Sequence, residues 1–255
     1  MLDDFTPIIH TLDGRSVKVW AISDVHIGAK EADIDGFSKF LAKIEADPDS
    51  YLVLCGDLIN NGIRSANCPT DIYDETMPPQ AQIDLAVQLL EPVKDRILGA
   101  VSGNHENRSK KAVDLDPTLT IMTLLRKQDL YRRNMAFIRV ILLKNGISDH
   151  YALYLSHGKS EAKKKRFDLT IEGVDASISG HVHRGSISKP GRVVFSNRNQ
   201  VSVRPLVSLT ATSWLKWGGY AAFNQYPANA TSDPQALLLE YTGSNNKRGT
   251  IKVIW

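Results

Sequence analysis

Residues 177–185 read SISGHVHRG and contain two of the seven histidines in this 255-residue chain. A short apolar strand, Val174 to Ile178, is predicted to run into Gly180 and then into His181-Val182-His183. In extended backbone, residues i and i+2 face the same side, so this spacing would allow both imidazoles to reach one ligand. The stretch alone is compatible with a metal site and with a surface loop, and the rest of the chain has to decide between them.

Four other predicted strands also end in residues that can bind a metal, often beside a glycine. These ends are Ser23-Asp24-Val25-His26, Gly56-Asp57, Gly103-Asn104-His105-Glu106 and Ser156-His157-Gly158. Loops that follow the carboxyl ends of strands are where α/β sheets bind ligands. Any one of these residues alone would be interpreted as a turn residue or a core histidine. Five such strand ends together predict a shared metal site.

The residue types at these ends indicate the chemistry. Carboxylate, imidazole and amide ligands without a thiolate suit Mn, Fe, Zn or Ni rather than a cysteine-based structural zinc. The candidate ligands are too many for one ion: Asp24, His26, Asp57, Asn104, His157, His181 and His183. Two ions that share a bridging carboxylate are therefore expected, an arrangement that suits in-line displacement at phosphorus.

The order of the predicted elements favours an α/β fold in one domain spanning residues 1–255. The first half alternates strands with helices, and the second half is dominated by antiparallel strands, which predicts two packed sheets with helices outside. Ile8 to Thr11 and Val17 to Ile22 are predicted to form a hairpin around Asp13-Gly14. The loop at 58–77 is too long for a simple connector and is expected to lie over a site.

Composition bears on the charge of the substrate and on the cellular compartment. The net charge of +3 permits an acidic substrate without requiring one. Two cysteines, Cys55 and Cys68, with no CxxC motif favour a reducing, cytoplasmic setting. The N-terminal MLDDFTPIIH does not read as a secretory signal, and no apolar run is long enough to predict a membrane-spanning helix.

The motif series Asp-x-His, Gly-Asp, Gly-Asn-His-Glu, His-Gly and Gly-His-x-His resembles that of the calcineurin-like metallophosphoesterase superfamily, including its bacterial and bacteriophage members. The resemblance implies a four-layer αββα sandwich of two mixed sheets and a site with two divalent ions. Mn²⁺ is expected, with Fe, Zn, Ni and Mg as alternatives.

The resemblance also implies a role for each matching residue. One ion would be held by Asp24, His26, Asp57 and His183, and the other by Asp57, Asn104, His157 and His181. Asp57 would bridge the ions together with a hydroxide that attacks phosphorus in line. His181 and His183 would thus divide between the ions, and His105 would face the scissile phosphate without binding a metal.

Residues that depart from the family pattern indicate which subclasses of phosphoesterase the chain does not resemble. The protein Ser/Thr phosphatases continue Gly-Asp with a Val-Asp-Arg-Gly-like run, where the aspartate supports the catalytic histidine and the arginine grips phosphate. Here Asn60 and Asn61 occupy those places, which disfavours a phosphoprotein phosphatase. A purple acid phosphatase would need a tyrosine at position 60. Asn60 and Glu106 are both candidates for orienting His105, and Arg108 is a candidate for gripping a phosphate oxygen.

The remaining relatives predict a phosphodiesterase or nuclease acting on nucleotides, DNA or other nucleic acid. A phosphomonoesterase on a small molecule and a non-catalytic binding scaffold are the alternatives, a membrane is not expected as a partner, and a homodimer is left open. The basic run at Lys159 and 163–166 is interpreted either as a solvated helix face or as a rim that steers a polyanion. Trp214, Trp217 and Tyr220 are interpreted as core or interface residues or as a platform for base stacking.

Overall fold

Two six-stranded sheets pack face to face in a computed structural model that describes residues 4–64, 72–168, 170–195, 199–219, 222, 234–243 and 251–254. The strands are β1 (Ile8–Asp13), β2 (Val17–Ile22), β3 (Ser50–Leu54), β4 (Ile97–Val101), β5 (Tyr131–Arg132), β6 (Met135–Lys144), β7 (Ile147–Ser156), β8 (Ala176–Ser179), β9 (Ser186–Ser188), β10 (Gly191–Phe195), β11 (Val201–Pro205), β12 (Val207–Thr210), β13 (Ala236–Leu239) and β14 (Ile251–Ile254). The helices are α1 (Ile34–Ala46), α2 (Pro79–Leu90), α3 (Glu106–Val113), α4 (Pro117–Leu124) and α5 (Glu161–Asp168).

The first sheet has the strand order β1-β6-β7-β8-β12-β9, and the second has the order β14-β13-β2-β3-β4-β5. Both sheets are mixed. In the second sheet β2, β3 and β4 are parallel neighbours, and in the first β7, β8 and β12 are parallel neighbours. The carboxyl ends of parallel strands meet at one edge, so the loops after these strands are brought together. Strands β10 and β11 form a separate two-stranded ribbon.

The core between the sheets consists of the inward-facing side chains of both. Val19, Val53 and Val101 of one sheet share a buried cluster with Leu153 and Ile178 of the other. A second cluster lies under α1, α2 and α4, which cover the outer face of the second sheet. Helix α5 lies on the outer face of the first sheet, where it bonds to β8 and β12. The layers are therefore helix, sheet, sheet and helix, as the resemblance implied.

Local sequence explains where the helices begin. The side chain of Asp33 accepts a hydrogen bond from the Gly36 N–H at 3.2 Å at the start of α1. Asp116 caps α4 in the same way at the Leu119 N–H, 3.1 Å away, and Pro117 occupies the first helical position, where its missing N–H costs nothing.

Asn145-Gly146 forms the turn of the β6–β7 hairpin, but the hairpin predicted around Asp13-Gly14 is wrong. Strand β1 pairs in parallel with β6 in the first sheet, whereas β2 lies between β3 and β13 in the second. A Cβ at Gly14 would lie 2.9 Å from the main-chain nitrogen of Lys144, so the turn packs closely against the end of β6. The chain thus passes from one sheet to the other at this glycine. Among the described helices, none is both long and apolar enough to cross a membrane.

Candidate metal centre

The five strand ends converge at one edge of the two sheets with unusual backbone geometry. Asp24, His26, Asp57, His181 and His183 all have positive φ, between 50° and 76°. Residues other than glycine rarely adopt this region, at a cost on the order of 1–3 kcal/mol each. Strain of this kind persists only where the surrounding structure holds it, and it is typical of functional sites.

One group of ligand atoms comprises Asp24, His26 and His183, which lie within 4.8 Å of one another. The Nε2 atom of His183 lies 3.2 Å from Asp24 Oδ1 and 3.2 Å from His26 Nε2. Asp24 is itself held by its main-chain oxygen, which accepts from Ser213 Oγ and from the Trp214 N–H, each at 3.0 Å. The three side chains can therefore coordinate one cation.

A second group comprises Asp57, His157 and His181, again within 4.8 Å. His157 Nε2 lies 3.2 Å from Asp57 Oδ2 and 2.9 Å from Asn104 Oδ1. His157 Nδ1 lies 2.8 Å from the Cys55 carbonyl oxygen, to which it donates, so Nε2 is left to face the cluster.

Asp57 lies between the two groups, since its Oδ2 atom is also 3.9 Å from His26 Nε2. His181 and His183 lie in different groups of candidate ligand atoms. Their left-handed backbone removes the extended geometry that would have pointed both rings at one ligand.

The cluster fits divalent cations on its own chemistry. Asp24 Oδ1 is buried, yet no described residue donates a hydrogen bond to it. Burial alone would raise the pKa of Asp24, but the imidazoles of His183 and His26 outweigh burial and hold this pKa well below its usual range. Burial lowers the pKa of His157, but the Asp57 carboxylate reverses this and raises it to about 10. Without a cation the His157 ring thus holds a second proton, which metal binding would displace.

The sequence matches the model of the calcineurin-like phosphoesterase family over residues 17–185, about two thirds of the 255 residues. The chain belongs to the calcineurin-like phosphoesterase family. It is therefore a metal-dependent phosphoester hydrolase, and the aspartate and histidine groups described above are its candidate ligands for divalent ions. No match was found among curated proteins.

Both ring nitrogens of His105 make hydrogen bonds. The family resemblance implies that this residue faces the phosphate. Its Nδ1 atom lies 2.7 Å from the main-chain oxygen of Asn60, and its Nε2 atom lies 3.2 Å from an Arg108 guanidinium nitrogen. The same guanidinium donates to the Asn60 oxygen at 3.2 Å. Burial, followed by the positive charge at His26, lowers the pKa of His105 to about 3 in the cation-free cluster. A neutral ring donates from Nδ1 and accepts from Arg108 at Nε2.

Glu106 is fully buried and holds the loops that carry the ligands. Its carboxylate accepts from the N–H groups of Asp57 at 3.0 Å, Leu58 at 2.7 Å, Ile59 at 3.2 Å and Gly103 at 2.9 Å. Burial and the nearby Asp57 raise the pKa of Glu106 to about 7. Of the two candidates for orienting His105, Asn60 makes the contact, and it does so through its main chain.

The side chains of Asn60 and Asn61 have other partners. Asn60 Oδ1 lies 3.2 Å from His26 Nδ1, and Asn60 Nδ2 donates to Glu75 at 2.9 Å. Asn61 is fully buried and donates from Nδ2 to the His105 main-chain oxygen at 2.7 Å. Sequence reasoning missed Glu75 and its partner Gln82. The only signal for Glu75 was the length of the 58–77 loop, of which residues 65–71 lie outside the described part of the chain, and Gln82 lies on α2.

Trp214 and Trp217, two of the three aromatic residues between positions 214 and 220, differ in their surroundings. Trp214 packs against Phe37 and Phe40, with ring centroids 5.0 and 5.2 Å away, as expected of a core residue. Trp217 is exposed, and Tyr220 and Cys68 lie outside the described residues.

The basic run on α5 is only partly a solvated face. Lys163, Lys165 and Arg166 are exposed, but Lys164 is largely buried and donates to Asp168 at 2.8 Å, Ser177 at 3.0 Å and Ser208 at 2.6 Å. Lys164 therefore does not belong to a basic rim, because its ammonium group is used to fasten α5 to the first sheet.

Replacing Lys164 with methionine is expected to lower the free energy of unfolding by about 3–5 kcal/mol, because it leaves Asp168 charged and buried. Urea denaturation measures the change. The matched replacement of the exposed neighbour, Lys163→Met, should stay within about 0.5 kcal/mol of wild type. Equal stability of both variants would contradict an anchoring role for Lys164.

Proposed function

We propose that this protein is a dinuclear phosphodiesterase or nuclease that acts on nucleotides or nucleic acid. The observation that carries the proposal is the position of Asp57 between two groups of ligands, beside His105 and Arg108. Asp24, His26, Asp57 and His183 would hold one divalent ion. Asp57, Asn104, His157 and His181 would hold the other, and Mn²⁺ suits this set of oxygen and nitrogen ligands.

When bound, the two ions would supply a hydroxide nucleophile near neutral pH and neutralise charge on the phosphoryl oxygens. The protein's own residues supply the rest. The Asn60 carbonyl orients His105 so that its Nε2 edge faces the cluster, 4.0 Å from Asp57 Oδ2. Arg108 places a guanidinium at the same edge, where it can pair with a phosphoryl oxygen.

The preference for a diester rests on charge. A phosphodiester carries one negative charge, whereas a monoester carries up to two and gains more from additional cationic groups. Asn61 stands where the protein phosphatases place a phosphate-gripping arginine, and its amide is used to hold the His105 main chain and to accept from Ser109. This position therefore contributes no positive charge to the substrate, which favours the diester.

The proposal is tested by adding Mn²⁺ to metal-free protein with a panel of substrates. The panel contains bis-p-nitrophenyl phosphate, p-nitrophenyl phosphate, a cyclic nucleotide, and single- and double-stranded DNA. We expect metal-dependent turnover that is faster with the diesters than with the monoester. Faster turnover of the monoester would favour the phosphomonoesterase alternative, and no metal-dependent turnover on any substrate would favour a binding scaffold.

A further inference from the structure

Glu75, near the end of the 58–77 loop, is joined by hydrogen bonds to the start of that loop and to helix α2. Its Oε1 atom accepts from Asn60 Nδ2 at 2.9 Å and from the Gly62 N–H at 2.7 Å. Its Oε2 atom accepts from Gln82 Nε2 at 2.5 Å. The carboxylate is thus shared by three segments, and it lies one side chain away from His26, a candidate metal ligand.

The direction of these hydrogen bonds is fixed by the carboxylate, because an ionised carboxylate can only accept. The Asn60 amide must therefore turn its NH₂ group towards Glu75, which places Oδ1 at His26 Nδ1, 3.2 Å away. An amide oxygen in turn requires a proton on that nitrogen. In the neutral ring that a metal would bind, Nε2 is then unprotonated, and Nε2 is the atom that faces Asp24, His183 and Asp57.

The backbone around Glu75 leaves the carboxylate little freedom. Glu75 forms a bridge with Ala29, and the Thr76 N–H donates to the Gly28 oxygen at 2.7 Å. A Cβ at Gly28 would lie 2.7 Å from Glu75 Oε2, and one at Gly62 would lie 2.2 Å from Oε1. Only glycine at these two places lets the main chain approach the carboxylate so closely.

We propose that Glu75 is a positioning residue for the metal centre, acting through the Asn60 amide to hold the His26 ring with its proton on Nδ1. The inference rests on the metal ligands of the proposed function. In this inference the Asn60 side chain orients the metal ligand His26, and the Asn60 main-chain oxygen orients His105. Partners that fix a metal-bound histidine in this way typically contribute 10–100-fold to metal affinity.

The experiment compares Mn²⁺ affinity across variants of the full chain, using competition with a chromophoric chelator and no substrate. Glu75→Gln should weaken Mn²⁺ binding by about 10–100-fold, because an amide can present NH₂ where the carboxylate accepts. Asp74→Asn is the matched control. It removes the same charge from the neighbouring residue, whose carboxylate pairs with Lys30 and makes no contact with Asn60 in the described structure. Its Mn²⁺ affinity should equal that of wild type.

A double-mutant cycle separates positioning from a purely structural effect. Asn60→Leu keeps the main-chain carbonyl for His105 but removes the amide, so it should weaken Mn²⁺ binding on its own. Adding Glu75→Gln to Asn60→Leu should then change the affinity little, whereas independent effects would add. Denaturation of each metal-free variant measures stability separately.

A spectroscopic readout tests the tautomer directly. Long-range ¹H–¹⁵N spectra of the Zn²⁺-loaded protein should show a proton on His26 Nδ1 that exchanges slowly in wild type and faster in Glu75→Gln. Wild-type affinity in either Glu75→Gln or Asn60→Leu, or additive losses in the double variant, would overturn the inference and leave the proposed function intact. A wild-type protein that binds no divalent ion would overturn both.

Discussion

Replacing Asp57 with asparagine is expected to leave fewer than two metal ions per chain and to reduce phosphoester hydrolysis by a factor of ~10³ or more. The Asp57 carboxylate is 1% exposed, and its Oδ2 atom lies 3.2 Å from His157 Nε2 and 3.9 Å from His26 Nε2. It is thus placed to serve both groups of ligands. An asparagine offers one neutral oxygen and an NH₂ group that cannot coordinate a cation, so the shared position would be lost.

Metal analysis and turnover of bis-p-nitrophenyl phosphate, measured on the same preparation, check this prediction. Asp149→Asn is the matched control, because Asp149 is a buried aspartate that accepts from Thr242 and Gly243 far from the cluster. It should keep both ions and its turnover, whatever it loses in stability. If Asp57→Asn keeps two ions per chain and normal turnover, the bridging assignment is wrong.

The convergence of the strand ends could be predicted from sequence because it follows from sheet topology. Asp24, Asp57 and Asn104 come shortly after β2, β3 and β4, which are parallel neighbours, so their loops must lie side by side. His157 and His181 follow β7 and β8 for the same reason. Strands β3 and β4 are short apolar runs that lead into polar residues, and both features are visible in one dimension.

The pairing of β1 could not be predicted in this way. Asp13-Gly14 is a strong local hairpin signal, but β2 lies inside the second sheet with Val17, Val19 and Ala21 buried, and it takes its neighbours from β3 and β13 instead. The packing of Gly14 against Lys144 decides the path of the chain, and that contact joins residues far apart in sequence. Local turn chemistry therefore lost to the burial of a central strand.

The role of Glu75 in supporting the ligands could not be predicted from the sequence either. Glu75 lies in a polar loop with no motif around it, and its importance comes from the three segments that it joins through space. Lys164 shows the converse case. It was read as part of a continuous basic run, yet the geometry of a helix turns this one lysine towards Ser177 and Ser208 while its neighbours face solvent.

Replacing His105 with alanine is expected to leave both ions in place and to lower turnover of a phosphodiester by about 10²–10⁴-fold, the usual contribution of a positioned acid or base. Among the described residues, His105 can reach the same cation as His26 and Asp57, so its geometry alone does not exclude a role as a ligand. Its contact with Arg108 argues against that role. The guanidinium donates to Nε2, so the lone pair that a metal would need is already engaged.

Metal analysis of His105→Ala separates the two roles, with His150→Ala as the matched control because His150 lies on β7 and contacts Ser148 rather than the cluster. Retained ions with a large loss of turnover would support a group that acts on the substrate. Loss of an ion would make His105 a ligand, and unchanged turnover would remove it from the reaction altogether. We expect the first outcome, because the Asn60 carbonyl and Arg108 together hold the ring beside the cluster without any help from a metal ion.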